Sequence, residues 1–290
     1  MEIRKAERKK AKLRLGIAAP SGAGKTYSAL LLAFGLGGKI GLIDTEHGSG
    51  DLYAHLGEYD IIAIEAPYTV AKYLEAIAAF EDAGYSTIII DSLSHAWAGD
   101  GGLLDKQGKM ADRGVNSFAA WRTITPDHNA LVDAMLQSPC HIIATMRAKQ
   151  DYVLELNDKG KQTPKKVGLA PVQREGMEYE FTVMLDVDMQ HVASSSKDRT
   201  GLFDGQYFKI ERKTGETLLA WLESGKEAPK VEVITKAQQK VLRDLLAALE
   251  APEGEFCRAA KIRRLEDMPA DKYEGFHAYL SKRLPQREAA

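Results

Sequence analysis

Ile17-Ala18-Ala19-Pro20-Ser21-Gly22-Ala23-Gly24-Lys25-Thr26 is the stretch that decides the fold. It lies between an apolar run, Leu13 to Ala18, and an apolar helical pattern, Tyr27 to Leu36. Strand, glycine-rich loop and helix in that order form the setting of a phosphate-binding P-loop. Gly22 and Gly24 let the backbone curl so that successive N–H groups converge on an anion. The start of the helix adds partial positive charge. Ser21, Gly22, Ala23, Gly24, Lys25 and Thr26 are therefore the candidate nucleotide-binding residues. Lys25 is placed to reach the β- and γ-phosphates of ATP, and the Thr26 hydroxyl to ligate Mg²⁺. Ala19 stands where the motif usually has its first glycine, and alanine is the mildest replacement.

The rest of the composition is that of an ordinary globular chain. Of 290 residues, 44% are hydrophobic and 28% charged, which suits one large α/β domain with a small appendage. The net charge of −2 gives no whole-molecule field for nucleic acid, so any such contact must come from local patches. Cys140 and Cys257 are far apart, which fits a reducing cytoplasm and argues against a zinc site. The N-terminus is charged and no apolar run is long enough for a membrane span, so neither a signal peptide nor a membrane partner is expected.

Short apolar runs at Leu13–Ala18, Ile40–Asp44, Ile61–Glu65, Thr87–Asp91 and His141–Thr145 predict strands buried on both faces. Helical patterns at Thr26–Leu36 and Val70–Ala83 alternate with them, which implies a mostly parallel sheet with ligands beyond the carboxyl ends of its strands. Tyr179–Asp188, His191–Ser195 and Gln206–Glu211 read as an antiparallel extension. The expected division is a basic arm over 1–12, an α/β core over 13–223, a linker over 224–234 and a small helical unit over 235–290. The arm reads equally as a solvated tail or a partner-binding element. In the last unit, Thr235 and Gln238 form a capping box, Val241, Leu242, Leu245, Leu246 and Leu249 make one face, and Phe256–Leu265 and Tyr273–Leu284 are two further helices.

Asp91 ends the run Thr-Ile-Ile-Ile-Asp, where a carboxylate beside a P-loop holds the Mg²⁺ shell. Glu46 follows the second strand, where it can deprotonate the water that attacks the γ-phosphate. Asp44 competes for that role. Residues 147 to 174 carry seven basic groups against three acidic ones, a local +4, with Tyr152 as their single aromatic. Lys149, Lys159, Lys161, Lys165 and Lys166 are candidate contacts to single-stranded DNA; a solvated surface hairpin is the alternative. Gly99–Gly114 is a second candidate loop. The histidines show no metal spacing, and His47 and His95 are site-adjacent polar groups at most.

Gly-Leu-Ile-Asp-Thr-Glu-His, with Tyr53 seven residues past Glu46, resembles the segment of RecA that carries its catalytic glutamate and adenine-stacking tyrosine. Ile-Ile-Asp-Ser-Leu is similar to RecA's Walker B strand. The resemblance implies a RecA-like P-loop core, catalysis by Glu46 and stacking by Tyr53, which reads equally as a packing residue. Ser-Lys-Asp-Arg-Thr-Gly, 196 to 201, resembles the Lys-x-Arg hairpin of DnaB-type ring helicases and implies that Lys197 and Arg199 serve a neighbouring subunit's γ-phosphate. Thr145 and Arg147 stand near the sensor position of such folds. As a whole the chain resembles phage-encoded RecA-core proteins, some of which anneal single strands. That implies ATP-dependent handling of single-stranded DNA in the host cytoplasm, and a head-to-tail ring or filament. It also makes the terminal helices a candidate docking unit for a single-strand-binding protein. Two rivals are a regulatory nucleotide-binding module that gates a partner and a small-molecule phosphotransferase.

Overall fold

The computed structural model describes residues 5–156, 162–227, 232–260, 262 and 264–284, with the backbone alone at 150–169. The chain divides into two compact units, 1–226 and 227–290.

The first unit is built on a sheet of nine strands among the described residues. They are β1 (Arg14–Ala19), β2 (Ile40–Asp44), β3 (Asp60–Ala63), β4 (Thr87–Asp91), β5 (His141–Leu156), β6 (Gln162–Pro171), β7 (Val183–Val187), β8 (Ala193–Asp198) and β9 (Tyr207–Phe208). Their order is β3-β2-β4-β5-β1-β7-β8-β9, with β6 paired to β5 outside that path. The strands from β3 to β7 run parallel, while β8 and β9 add antiparallel edges. This is the mostly parallel P-loop core with antiparallel extension that the alternation of runs predicts. β1, β2 and β4 are buried at every position, as a sheet covered on both faces requires. One apolar cluster packs Tyr73, Phe80, Ile88, Ile90 and Ile142 on one side. The other packs Leu15, Ile17, Leu30, Leu42 and Ile143.

The helices of this unit are α1 (Lys25–Leu36), α2 (Val70–Asp82), α3 (Leu93–Ala98), α4 (Leu103–Asp112), α5 (Ser117–Gln137) and α6 (Arg212–Glu223). α1 and α6 touch backbone to backbone. A Cβ on Gly35 would sit 2.0 Å from the Arg212 carbonyl oxygen, and one on Gly215 2.2 Å from that of Leu32. α4 corrects the expectation of a loop over Gly99–Gly114. Leu103 is buried at its start, and an Asp105–Lys109 pair at 2.6 Å supports its exposed side. α5 has no counterpart among the predicted elements, because Thr123, Thr125, Pro126 and Asn129 dilute its pattern. Its stripe of Ala120, Ile124, Leu131 and Met135 is nonetheless buried, and Asn116 caps it by accepting from the Ala119 N–H at 2.9 Å. The run expected as a strand over Gln206–Glu211 is only two residues long, because Glu211 caps α6 through its box with Thr214. Likewise Tyr179–Asp188 opens with a turn of 3₁₀ helix, Met177–Glu180, before β7.

The buried Arg14 is paired with no carboxylate among the described residues. Its guanidinium donates to the carbonyls of Leu136, Ser138 and Cys140 at 3.0, 2.5 and 2.7 Å, and so closes the C-terminal end of α5, where helix carbonyls favour a cation. Burial draws its pKa down to about 10. Beside it, the Leu13 N–H donates to His141 Nδ1 at 3.0 Å, which fixes that ring as the neutral tautomer. Burial, then the charges of Lys12 and Arg14, hold the His141 pKa near 4 against an ordinary 6.5. The unfolded chain therefore takes up a proton below pH 6.5 that the folded chain refuses until about pH 4. Stability is full above that window and falls through it, by roughly 3 kcal/mol at about 1.4 kcal/mol per unit. His141→Asn, which keeps an acceptor for Leu13, is expected to flatten the dependence of the urea midpoint on pH between 7 and 4.5. An unchanged slope in that variant would assign the acid sensitivity elsewhere.

The second unit contains α7 (Lys236–Ala248), α8 (Glu253–Ala260) and α9 (Tyr273–Ser281) around Leu242, Leu246, Phe256, Leu265, Met268 and Leu280. The Thr235–Gln238 capping box is present, with the Gln238 N–H 3.3 Å from Thr235 Oγ1. α8 ends at Ala260 rather than continuing to Leu265, which belongs to a separate short 3₁₀ turn. No helix among the described residues is long and apolar enough to cross a membrane.

Candidate nucleotide site

At the carboxyl ends of β1, β2 and β4, where β5 passes through Arg147 and Ala148, lies a cleft of about 690 Å³. Its walls include Ser21, Gly22, Gly24, Lys25, Thr26, Glu46, Tyr53, Asp91 and Arg147. The loop from Pro20 to Gly24 adopts the curled shape its glycines predict, with φ of +82° at Gly22 and +85° at Gly24. α1 starts directly after it, and no side chain caps its N-terminus. The first-turn N–H groups of α1 thus point into the cleft with the helix dipole behind them, the arrangement that binds a phosphate. His191 Nδ1, between β7 and β8, donates to the Ala23 carbonyl at 3.1 Å and so braces the loop. Lys25 Nζ reaches the Ala19 and Pro20 carbonyls at 3.2 and 3.0 Å. Burial lowers its pKa, while the charges of Asp91 and Glu46 oppose the shift.

Asp91 is buried at the tip of β4. Thr26 Oγ1 donates to one of its carboxylate oxygens and Thr145 Oγ1 to the other, each at 2.5 Å. Burial raises its pKa, and the two hydroxyl bonds resist the rise. A hydroxyl and a carboxylate side by side are the hard oxygen donors that suit Mg²⁺, so Thr26 and Asp91 fit that ion. Thr145 stands behind Asp91 rather than in the cleft wall.

The two acids of the Ile43–His47 segment differ in their surroundings. Asp44 accepts the Glu46 N–H at 2.6 Å on one oxygen and the Gly50 N–H at 3.0 Å on the other, so it shapes the turn after β2. Glu46 faces the cleft. Its Oε1 accepts from Ser92 Oγ at 3.0 Å, and Arg147 engages both oxygens, from Nε at 3.0 Å and from Nη2 at 2.6 Å. Burial alone would raise the Glu46 pKa, but the Arg147 hydrogen bonds and charge outweigh it and the net shift is downward. Ser92 is itself fixed through Thr45, whose Oγ1 accepts the Ser92 N–H at 2.8 Å and meets His95 Nδ1 at 2.7 Å. Tyr68 stacks on His95 at 4.6 Å. His95 is thus tied to the site through Thr45, and its charge also bears on Glu46.

Tyr53 lines the cleft and meets Tyr27 edge-on at 5.9 Å. Lys197 and Arg199 do not reach this cleft. They donate to the Tyr179 carbonyl at 2.5 and 3.1 Å, and Lys197 also to that of Glu178 at 3.0 Å. The basic segment after Arg147 is a hairpin of β5 and β6, not an open loop, with a bulge at Asp151 and Tyr152. Lys149 is exposed on β5 opposite Ala170, and Lys165 and Lys166 lie on β6 opposite Val153 and Tyr152. Lys159 and Lys161 lie outside the described residues.

Sequence reasoning did not find the Ser92–Thr45–His95 chain, the brace from His191 or the Arg147–Glu46 pair. Only Ser92, adjacent to Asp91, carried a local signal. No curated protein matches the chain. Residues 11–220 match the family described as AAA domain, a span that holds the whole cleft and most of the chain. The chain therefore belongs to the AAA-domain family of P-loop ATPases.

Proposed function

We propose that this chain hydrolyses ATP with Mg²⁺ and uses the cycle to handle single-stranded DNA along the β5–β6 hairpin, in recombination or repair of the phage type. One observation carries the reading: the cleft that gathers Lys25, Thr26, Asp91 and Glu46 is walled by Arg147, Ala148 and Val172, the root of the basic hairpin. Mg²⁺, when bound, neutralises charge between phosphate oxygens. Thr26 and Asp91 would hold it, and Lys25 and the loop N–H groups would hold the phosphates. Glu46 takes a proton from the attacking water at Oε2, the oxygen with a single partner among the described residues. Tyr53 offers its ring to the base. Lys197 and Arg199 serve a neighbour's site, which makes the assembly head-to-tail, since such a contact is heterologous.

The test is ATP turnover across protein concentration, with and without single-stranded DNA, alongside DNA binding across a salt series. Binding is expected to be salt-sensitive and indifferent to sequence. Replacing Lys159, Lys161, Lys165 and Lys166 together by Ser should weaken it and flatten the salt slope, because fewer counterions are released. A slope unchanged in that variant would move the DNA path off the hairpin. Turnover independent of protein concentration would argue against a shared site.

A further inference from the structure

Arg147 occupies a junction. It is the last residue of β5 in register with β1, opposite Ala19, and its neighbour Ala148 is the first in register with β6, opposite Pro171. Its main chain is held on both sides. Its N–H donates to Ser94 Oγ at 2.9 Å, and its carbonyl accepts the Val172 N–H at 2.6 Å. From this fixed point its guanidinium spans the cleft to both oxygens of Glu46, a residue 101 positions away in the chain.

Stability gives little reason for the contact. The Arg147 side chain is 49% exposed, and an ion pair so placed contributes on the order of 0–1 kcal/mol. Chemistry gives a strong one. A carboxylate gripped on both oxygens by a planar fork is a weaker proton acceptor, because the proton must displace a charge-assisted bond. The same grip fills the space on the oxygens that a water must approach.

We propose that Arg147 is a positioning residue that withholds Glu46 from catalysis, with the root of the β5–β6 hairpin as the lever that sets it. A shift of β5 at Ala148 and Val172 carries the guanidinium with it and frees Oε2. The inference rests on Glu46 being the base of the ATPase proposed above.

Two measurements on the full chain test it. In the first, steady-state hydrolysis is compared for the parent, Arg147→Gln, Arg147→Lys and Glu46→Gln. Arg147→Gln is expected to raise kcat without DNA up to about fivefold at a KM within about twofold, which converts to about 1 kcal/mol of ground-state holding. Arg147→Lys keeps the charge without the fork and should fall between. In the second, carboxylates are labelled with a carbodiimide and an amine and read by mass spectrometry. Glu46 should label several-fold faster in Arg147→Gln than in the parent, with exposed Asp204 unchanged as the internal control. Should Arg147→Gln fail to fold, Arg147→Lys carries both readouts.

A fall in kcat with faster Glu46 labelling would overturn the proposal, since Arg147 would then be needed in the transition state. Unchanged labelling would overturn it too, because the grip would not exist in solution. If the parent hydrolyses ATP and loses the activity in Glu46→Gln, yet Arg147→Gln is no faster, the ATPase reading stands and the lock alone fails. If neither parent nor Arg147→Gln turns over ATP, both fail together.

Discussion

Lys25→Ala is expected to lose ATP binding by 10- to 100-fold and to show no turnover above background. Each hydrogen bond from a charged group to the phosphates contributes about 1.5–3 kcal/mol, and no other cation on the P-loop can replace this one. The fold should not suffer. Lys25 is partly buried with its pKa lowered, so the free protein already carries the cost of an ammonium drawn out of water. Among the described residues its hydrogen bonds are those to the Ala19 and Pro20 carbonyls, and the charges of Asp91 and Glu46 that it also faces act on an ammonium already drawn out of water. The check is a pair of melting curves. Without nucleotide the variant should melt at or above the parent temperature, and the rise on adding ATP and Mg²⁺ should disappear, because a ligand stabilises only the state it binds. A variant that keeps the rise would remove the phosphate site from this loop.

Glu46→Gln should bind ATP as the parent does and lose turnover by at least about 10²-fold, the usual contribution of a positioned base. With its pKa held down, Glu46 is ionised throughout the neutral range, so the variant should stay slow at every pH from 6 to 9. Asp44→Asn should behave differently. The Asp44 oxygens accept the Glu46 and Gly50 N–H groups, and weakening that turn should lower the melting temperature before it touches chemistry. An Asp44→Asn protein with a native melting curve and the turnover of Glu46→Gln would exchange the two roles.

The parts of this site that are contiguous in sequence could be read from it. The P-loop is such a part, since its glycines, Lys25 and Thr26 act through backbone geometry set within a few residues. The strand tips at Asp91 and Glu46 could also be read, because a short apolar run announces both the strand and its end. What escaped depends on pairing across the chain. Arg147 shows no sign in sequence that its partner is Glu46; only the parallel arrangement of β2, β4 and β5 brings them into reach. α5 escaped because Pro126 and its threonines blur a stripe that shows once Ile124, Leu131 and Met135 are seen against one core. The span over Gly99–Gly114 looked like a loop through its glycines, yet Gly108 lies in α4 with open space about it, so packing neither requires nor forbids glycine there.

The contact of α1 with α6 determines where this molecule can yield. With Gly35 against the Arg212 carbonyl and Gly215 against that of Leu32, the two helices have no cushion of side chains at their crossing on which to slide. The helix that presents the P-loop is thus an anvil, fixed from its far side. Movement that accompanies a nucleotide cycle has to be taken up across the sheet, where β5 leaves the core at Arg147. A methyl group added at Gly35, remote from every phosphate contact, would wedge the anvil loose, so a defect in nucleotide handling can originate on the face of the molecule that never meets the nucleotide.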